Sequence, residues 1–146
     1  MKIEIDVNEN YDDMKVRIEC PNLTPDVEKV LSMLRMMDMQ IAARKGDEMH
    51  ILDAAGVLYV EAVDRETFLY TQGNVYESEL KLYELENQLG SKGFFRVSKS
   101  CLLNLKKIKS LKAEINRRIL VTMVNGEQII VSRMYADELR KRLGVK

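Results

Sequence analysis

This sequence has few of the residues on which metal-binding and small secreted proteins depend. Its 146 residues include two cysteines, one histidine and no tryptophan. Cys20 and Cys101 lie far apart, and with His50 as the lone histidine no structural zinc spacing exists. No apolar run approaches the ~20 residues that span a bilayer, and the alternation of charged and apolar residues at the N-terminus is not typical of a signal peptide. We therefore expect a cytoplasmic protein without a metal or other cofactor.

Recognisable catalytic groupings are also missing. Gly90-Ser91-Lys92-Gly93 lacks the spacing of a Walker phosphate loop. The many carboxylates of residues 1–90 have no His or Cys partner at a recognisable spacing, so they are most simply a solvated acidic face. Cys101 is expected to be packed and unreactive, although its basic neighbours leave a redox-sensing role open. The sequence predicts that this protein is not an enzyme.

The charges, by contrast, are abundant and unevenly distributed. Hydrophobic residues make up 46% and charged residues 32% of the chain, which suits one globular domain with a core. Residues 1–90 carry 9 basic and 19 acidic residues, a net charge of −10, whereas residues 91–146 carry 14 basic and 4 acidic residues, a net charge of +10. The basic part suits a polyanion such as nucleic acid. Mutual neutralisation of the two parts within one fold is an equally open interpretation.

The first 45 residues predict an N-terminal β-β-α segment. Residues 2–7 and 14–20 alternate charged and apolar side chains, which indicates a β-hairpin or two neighbouring edge strands. Thr24 can cap a helix that has Pro25 at its first position, and the apolar spacing predicts that this helix covers residues 24–38. The methionines of this helix indicate either core packing or an adaptable protein-binding surface. Residues 39–44 are typical of a strand.

The remainder predicts short strands and two helices. The pattern is typical of an α+β, mostly β fold, and Asn125-Gly126 is a strong hairpin signal. We therefore divide the chain into a segment, 1–45, and a domain, 46–146. Strands are predicted at 49–52, 57–63, 67–71, 74–77, 110–116, 119–124 and 128–131, and helices at 78–89 and 132–143.

Residues 94–108 interleave apolar side chains with basic and hydroxyl side chains. The phenylalanines and leucines can anchor this segment, while its Arg, Lys and Ser side chains face outward, where they suit phosphate oxygens and base edges in a major groove. From composition alone, an ordinary exposed strand and loop with solvated lysines is the simpler interpretation.

Three motifs together resemble the LytTR family of bacterial DNA-binding domains. They are the Phe-x-Arg-x-x-Lys-Ser-x-Leu-x-Asn run that ends at Asn104, the Leu-x-x-Leu-Glu-x-x-Leu run from Leu82 to Leu89, and Val131-Ser132-Arg133. The resemblance covers residues 46–146. It implies small antiparallel sheets with short helices, and a transcription regulator whose loops enter the major groove at promoter direct repeats.

The resemblance also implies which residues contact DNA. The positions that contact bases in the family correspond to Arg65 in a loop between early strands, to Lys99, and to Arg133 before the last helix. Ser98, beside Lys99, is included among the DNA-contact residues, at a place where many relatives have His. Asn104 is expected to form a turn or brace a loop. The resemblance further implies phosphate contacts by Lys106, Lys107 and Arg96, although Arg96 alternatively braces its loop.

The predicted partners follow from the same resemblance. Residues 1–45 are too short for the receiver domain that many relatives carry, so the chain is similar to stand-alone LytTR regulators, some of which are inhibited by a small membrane protein. We expect double-stranded DNA as the partner, a homodimer formed through residues 1–45, and an inhibitory small membrane protein as a possible switch. Residues 1–45 alternatively only cover one face of the domain. The rival function is a non-enzymatic interaction module or inhibitor that docks an acidic partner through the basic C-terminal half.

Overall fold

The computed structural model describes residues 1–145, in which three α-helices and ten β-strands form an α+β, mostly β fold. This confirms the predicted fold class. None of the helices in this range has the length and apolar character that crossing a membrane requires. The helices are α1 (Pro25–Met37), α2 (Leu82–Leu89) and α3 (Arg133–Leu143). The strands are β1 (Gln40–Lys45), β2 (Glu48–Asp53), β3 (Tyr59–Val63), β4 (Glu66–Tyr70), β5 (Val75–Ser78), β6 (Phe94–Ser98), β7 (Cys101–Asn104), β8 (Ile108–Ala113), β9 (Ile119–Met123) and β10 (Gln128–Val131).

The strands form two antiparallel sheets. The larger sheet has seven strands in the order β2-β1-β5-β4-β3-β7-β6, and the smaller sheet has three in the order β10-β9-β8. The predicted turn at Asn125-Gly126 connects β9 to β10. The larger sheet therefore has β2 and β6 as its outermost strands, and β6 lies next to the smaller sheet and α3.

Two apolar cores lie on opposite faces of the larger sheet. One core joins α1 and α2 to the sheet through residues such as Ile41, Leu69 and Leu85. The other joins β3, β6 and β7 to the smaller sheet and α3, through residues such as Val97 and Leu139. Because strand side chains alternate between faces, neighbouring residues of β3 contribute to both cores. The arrangement fixes α3 against the end of β6.

Helix α1 forms as the sequence predicts. The Thr24 hydroxyl accepts a hydrogen bond from the Val27 backbone N–H at 3.4 Å, and Pro25 occupies the first turn. Its interior is amphipathic, yet only Met36 is fully buried, so much of its apolar surface stays in contact with solvent. The helix packs on β1 and ends at Met37, and the positive φ of 61° at Met39 reverses the chain into the strand.

The predicted hairpin of residues 2–7 and 14–20 is wrong. Neither segment is a strand, and residues 1–20 contain only a turn in which the Tyr11 N–H donates to the Asn8 carbonyl at 3.1 Å. An isolated two-stranded hairpin is marginal in water without a third strand or an apolar partner surface. Nothing in the described chain supplies that surface, because Ile5 and Val16 remain exposed.

The boundary of the predicted N-terminal segment coincides with a turn inside the larger sheet. Residues 40–45 form β1, which pairs along its whole length with β2 and also contacts β5. Helix α2 begins at Leu82 rather than at Ser78, because Ser78 ends β5 opposite Thr67. The other predicted strands and helices of residues 46–143 are present, with ends shifted by a few residues.

Candidate nucleic-acid interface

Three exposed connections gather at one end of the larger sheet. They are the β3–β4 turn (Asp64-Arg65), the β6–β7 turn (Lys99-Ser100) and the start of α3 (Ser132-Arg133), which we call the loop cluster. The β3–β4 turn has positive φ at both central residues, 49° at Asp64 and 72° at Arg65, as two-residue hairpin turns require. This tight turn holds Arg65 exposed beyond the strand ends.

Backbone hydrogen bonds hold the β3–β4 side of the cluster together. The Ala62 N–H at the end of β3 donates to the Ser100 carbonyl at 2.8 Å, which places the β6–β7 turn beside the end of β3. Because Arg65 follows Ala62 by three residues, it lies at the same end of the sheet as Lys99. Both side chains are exposed.

A β-bulge connects the cluster to α3. The pairing of β6 with β7 shifts register between Arg96 and Ser98, so Val97 is the extra residue. Its side chain is fully buried in the second core, and its carbonyl accepts hydrogen bonds from the Ser132 N–H at 3.1 Å and the Ser132 hydroxyl at 3.4 Å. The bulge therefore fixes the start of α3 beside the β6–β7 turn.

The first turn of α3 has no side-chain cap. Ser132 is the N-cap residue, but its hydroxyl bonds Val97 and makes no cap to the helix. The first N–H groups of a helix lack intrahelical acceptors, and with the helix dipole they attract anions. Arg133 is the first helical residue and its side chain is exposed. A phosphate or an electronegative base edge suits this corner.

Arg96 is tied inside the structure. Its Nη1 donates to the Lys99 carbonyl at 2.6 Å, and its Nη2 pairs with Glu86 Oε1 of α2 at 3.2 Å. The Arg96 side chain is only 18% exposed. The sequence leaves two roles for Arg96, a phosphate contact or bracing of its loop. The geometry agrees with bracing of the β6–β7 turn, because both guanidinium ends already have partners.

Ser98 is likewise used within the turn. Its hydroxyl accepts a hydrogen bond from the Ser100 N–H at 3.3 Å and its side chain is half-buried. Lys99, between them, has an exposed side chain and is not among the ion-paired residues of the described chain. The turn thus presents Lys99 to solvent while Ser98 shapes the backbone.

Lys106 and Lys107 are not part of the loop cluster. They follow β7, whose four residues advance about 13 Å along the sheet. The Leu105 N–H donates to the Gly93 carbonyl at 2.8 Å, which places the two lysines at the start of β6, the opposite end from Lys99. Lys106 is exposed and Lys107 is half-buried.

Asn104 has the loop-bracing role that the sequence predicts. The residue is 2% exposed, and its Nδ2 donates to the Val57 carbonyl at 2.9 Å. Its Oδ1 accepts from the Lys106 N–H at 3.1 Å. Both bonds satisfy backbone groups of neighbouring connections, so the amide serves the fold rather than a ligand.

Sequence reasoning missed Lys81. Its Nζ donates to the Arg65 carbonyl at 3.1 Å, and its side chain is exposed. Lys81 follows β5, which pairs antiparallel with β4, so the chain returns to the β3–β4 turn at this residue. The sequence indicates both strands but gives no signal for their order in the sheet, and that order is what places Lys81 at the loop cluster.

A second attachment joins the two sheets at the end away from the loop cluster. The Tyr59 hydroxyl donates to the Glu127 carboxylate in the β9–β10 turn, and the Tyr59 ring stacks on Tyr70 with centroids 4.3 Å apart. Burial, followed by the hydrogen bond to Glu127, raises the pKa of Tyr59. Together with the Ser132–Val97 contact, this bond fixes the smaller sheet against the larger one.

Cys101 lies in the same core as Tyr59. It is 6% exposed, and burial raises the pKa of its thiol to about 12. The nearby Arg96 opposes this effect without overcoming it. Since the thiolate is the reactive form, the packed and unreactive character expected for Cys101 agrees with this environment.

Known proteins resemble this chain both in fold and over its whole length. The family model described as the LytTr DNA-binding domain matches residues 47–144. A solved LytTr DNA-binding domain from Bacillus cereus aligns with a TM-score of 0.69 and 28% identity, covering 73% of this chain and 97% of its own. Proteins named as uncharacterized HTH-type transcriptional regulators, from Staphylococcus aureus strains NCTC 8325 and COL, are 25% identical over 147 residues, covering 99% of each chain.

The fold, the exposed loop cluster and these matches define a DNA-binding transcription regulator. The chain belongs to the LytTR DNA-binding domain family. Although the Staphylococcus relatives are named as HTH-type, no two α-helices of residues 1–145 are consecutive, because strands separate all three. The described residues therefore contain no helix pair of the kind that forms a helix-turn-helix.

Proposed function

We propose that this regulator reads specific base sequences in the major groove with the loop cluster. The observation that carries the proposal is that Arg65, Lys99 and Arg133, from three separate connections, are exposed at one end of the molecule. Arginine and lysine donors in the major groove favour the O6 and N7 acceptors of guanine. Three short, braced connections hold such donors in a fixed arrangement, which sequence reading requires.

The other predicted contact residues take supporting roles in this proposal. Arg96 and Ser98 hold the β6–β7 turn in shape, so we assign them positioning roles rather than base contacts. Lys106 and Lys107 lie at the far end of β7, so we assign them phosphate contacts outside the loop cluster. The unpaired N–H groups at the start of α3 support a further phosphate contact beside Arg133.

We further propose that two copies act together on promoter direct repeats. A single small domain buries a modest surface on DNA, and a second linked copy raises the apparent affinity through effective concentration. Exposed apolar residues in the segment before α1 and on α1 itself support a homodimer that involves residues 1–45. The same surface also suits a small inhibitory membrane protein. In this proposal the chain acts by binding alone, in the cytoplasm, and without catalysis.

Footprinting on the DNA upstream of the protein's own gene tests the proposal, since such regulators often control their own expression. We expect the wild-type protein to protect two short sites in direct repeat. Lys99→Ala should abolish this protection at concentrations where Lys92→Ala, a matched change of an exposed lysine before β6, retains it. Equal protection by the two variants would contradict base reading by the loop cluster.

A further inference from the structure

The segment before α1 and the free edge of the larger sheet both leave apolar side chains in solvent. Residues 14–19 alternate apolar and charged side chains, and Val16 and Ile18 are 55% and 37% exposed. β2 pairs only with β1, and its Met49 and Ile51 are 57% and 47% exposed. We propose that residues 14–19 of one copy pair with β2 of a second copy as an added strand.

The backbone of both partners is available for this pairing. An outermost strand presents a row of N–H and C=O groups without strand partners, and an extended peptide can add to it through main-chain hydrogen bonds. β2 offers such an edge over its six residues. Within residues 1–145, no backbone hydrogen bond joins residues 15–20 to another part of the chain. The segment is therefore free to adopt the strand conformation that its sequence pattern favours.

The side-chain pattern favours residues 14–19 over residues 2–7 as the strand that pairs with β2. Met49 and Ile51 share one face of β2, and Glu48 lies on the other, since strand side chains alternate. When Val16 and its apolar neighbours lie beside Met49 and Ile51, Lys15, Arg17 and Glu19 lie on the face of Glu48, His50 and Leu52, and this face of the segment has a net positive charge.

Residues 2–7 also alternate, but they would bring two carboxylates and one cation to that face, whereas residues 14–19 bring two cations and one carboxylate. Glu4 and Asp6 would then repel Glu48, and like charges on neighbouring strands destabilise the pair. The charges thus favour the second alternating segment as the added strand.

This inference rests on the proposed homodimer and names its interface. The occupant is a second copy, because the single chain leaves both the segment and the β2 edge in solvent, and because the proposed direct repeats would bring two copies side by side. Pairing with a second copy also supplies the third strand or apolar surface whose absence leaves residues 1–20 without sheet structure.

Sedimentation velocity on the full chain tests the interface with two complementary variants. Val16→Asp disables the segment and keeps β2 intact, whereas Ile51→Asp disables β2 and keeps the segment intact. Both positions are solvent-exposed, so the fold should persist, and circular dichroism checks this. Ile115→Asp, at an aliphatic residue 72% exposed between β8 and β9, is the matched control.

The expected result is a two-chain species for wild type and the Ile115→Asp control, and a single-chain species for Val16→Asp and for Ile51→Asp. An equimolar mixture of those two variants should restore a two-chain species, because one functional edge and one functional segment remain. A mixture that stays single-chain would show that the segment and β2 do not pair between copies, and would overturn the proposal. A single-chain wild type, or two-chain species for both variants alone, would overturn it equally. If wild type is a single-chain species and still protects its DNA sites, the proposed base reading stands and only the proposed dimer interface is wrong.

Discussion

Arg96 and Lys99, three residues apart in one hairpin, show how the fold assigns different roles to neighbouring basic residues. Arg96 donates to the Lys99 carbonyl and pairs with Glu86, so its charge is already compensated inside the protein. Lys99 has its backbone held by that contact and its side chain exposed. A charge held by internal partners braces a turn, whereas a free charge on a braced turn can recognise a ligand.

Arg133 and Lys107 should respond differently to removal of their side chains. Arg133→Ala should weaken binding to the specific site by about 1–3 kcal/mol and leave binding to random DNA nearly unchanged, because a bidentate base contact is lost. Lys107→Ala should weaken binding to both DNAs alike and reduce the salt dependence, because a phosphate contact is lost. Fluorescence anisotropy at several salt concentrations measures both effects. Equal losses on both DNAs for Arg133→Ala would refute its base-reading role.

The buried thiol of Cys101 makes stability depend on alkaline pH. Its pKa is raised from 9.0 to about 12 in the folded protein. Above about pH 9 the unfolded chain loses this proton while the folded chain keeps it, so the free energy of unfolding should fall as pH rises, by up to about 1.4 kcal/mol per pH unit.

Urea unfolding at about pH 8 and about pH 10 measures this loss. Cys101→Ala should make the loss smaller, since the titrating group is gone, although Tyr59 with its raised pKa still contributes. Cys20→Ala, at the exposed cysteine, is the matched control. If the two variants lose stability equally between these pH values, the buried thiol is not the source.

At the scale of elements, local signals predict α1 and most of the elements of residues 46–143. The Asn125-Gly126 turn, the strand alternations and the capped α1 all form where the sequence indicates. The hairpin of residues 2–7 and 14–20 has an equally clear alternation but does not form in the single chain. Alternation describes which face a strand would bury, and only the presence of a partner surface decides whether it forms.

The loop cluster was predictable only in part. Family resemblance pointed to Arg65, Lys99 and Arg133, but the side-chain partners of Arg96 and the position of Lys81 depend on strand order and on a bulge at Val97. Neither feature has a local sequence signal. Both arise when distant elements pack, since α2 supplies Glu86 and β5 returns the chain to the β3–β4 turn.

Asn104 should contribute to stability through its two buried bonds. Asn104→Ala leaves the Val57 carbonyl and the Lys106 N–H without their partner, and we expect the free energy of unfolding to drop by about 2–3 kcal/mol. Urea denaturation measures the change, with Asn87→Ala on the exposed face of α2 as the matched control. An unchanged midpoint for Asn104→Ala would mean that these bonds do not support the connections they join.

For the whole molecule, the two sheets act as one frame for the loop cluster. The Ser132–Val97 contact at one end and the Tyr59–Glu127 bond at the other hold the smaller sheet in place, so Arg133 keeps a defined position relative to Lys99. The net charges of −10 and +10 in the two parts of the chain give a neutral protein, which limits non-specific attraction to DNA. Under the proposed function, contacts from the loop cluster therefore have to supply a larger share of the binding free energy.

The most direct test is selection of bound sequences from a pool of randomised DNA duplexes, carried out in parallel with wild type and Arg133→Ala. The account predicts that wild type enriches a short repeated motif with guanines at defined positions, and that Arg133→Ala enriches a motif in which one of these positions in each repeat becomes variable. A wild-type pool without an enriched motif, or the same motif from both proteins, would contradict base reading by the loop cluster.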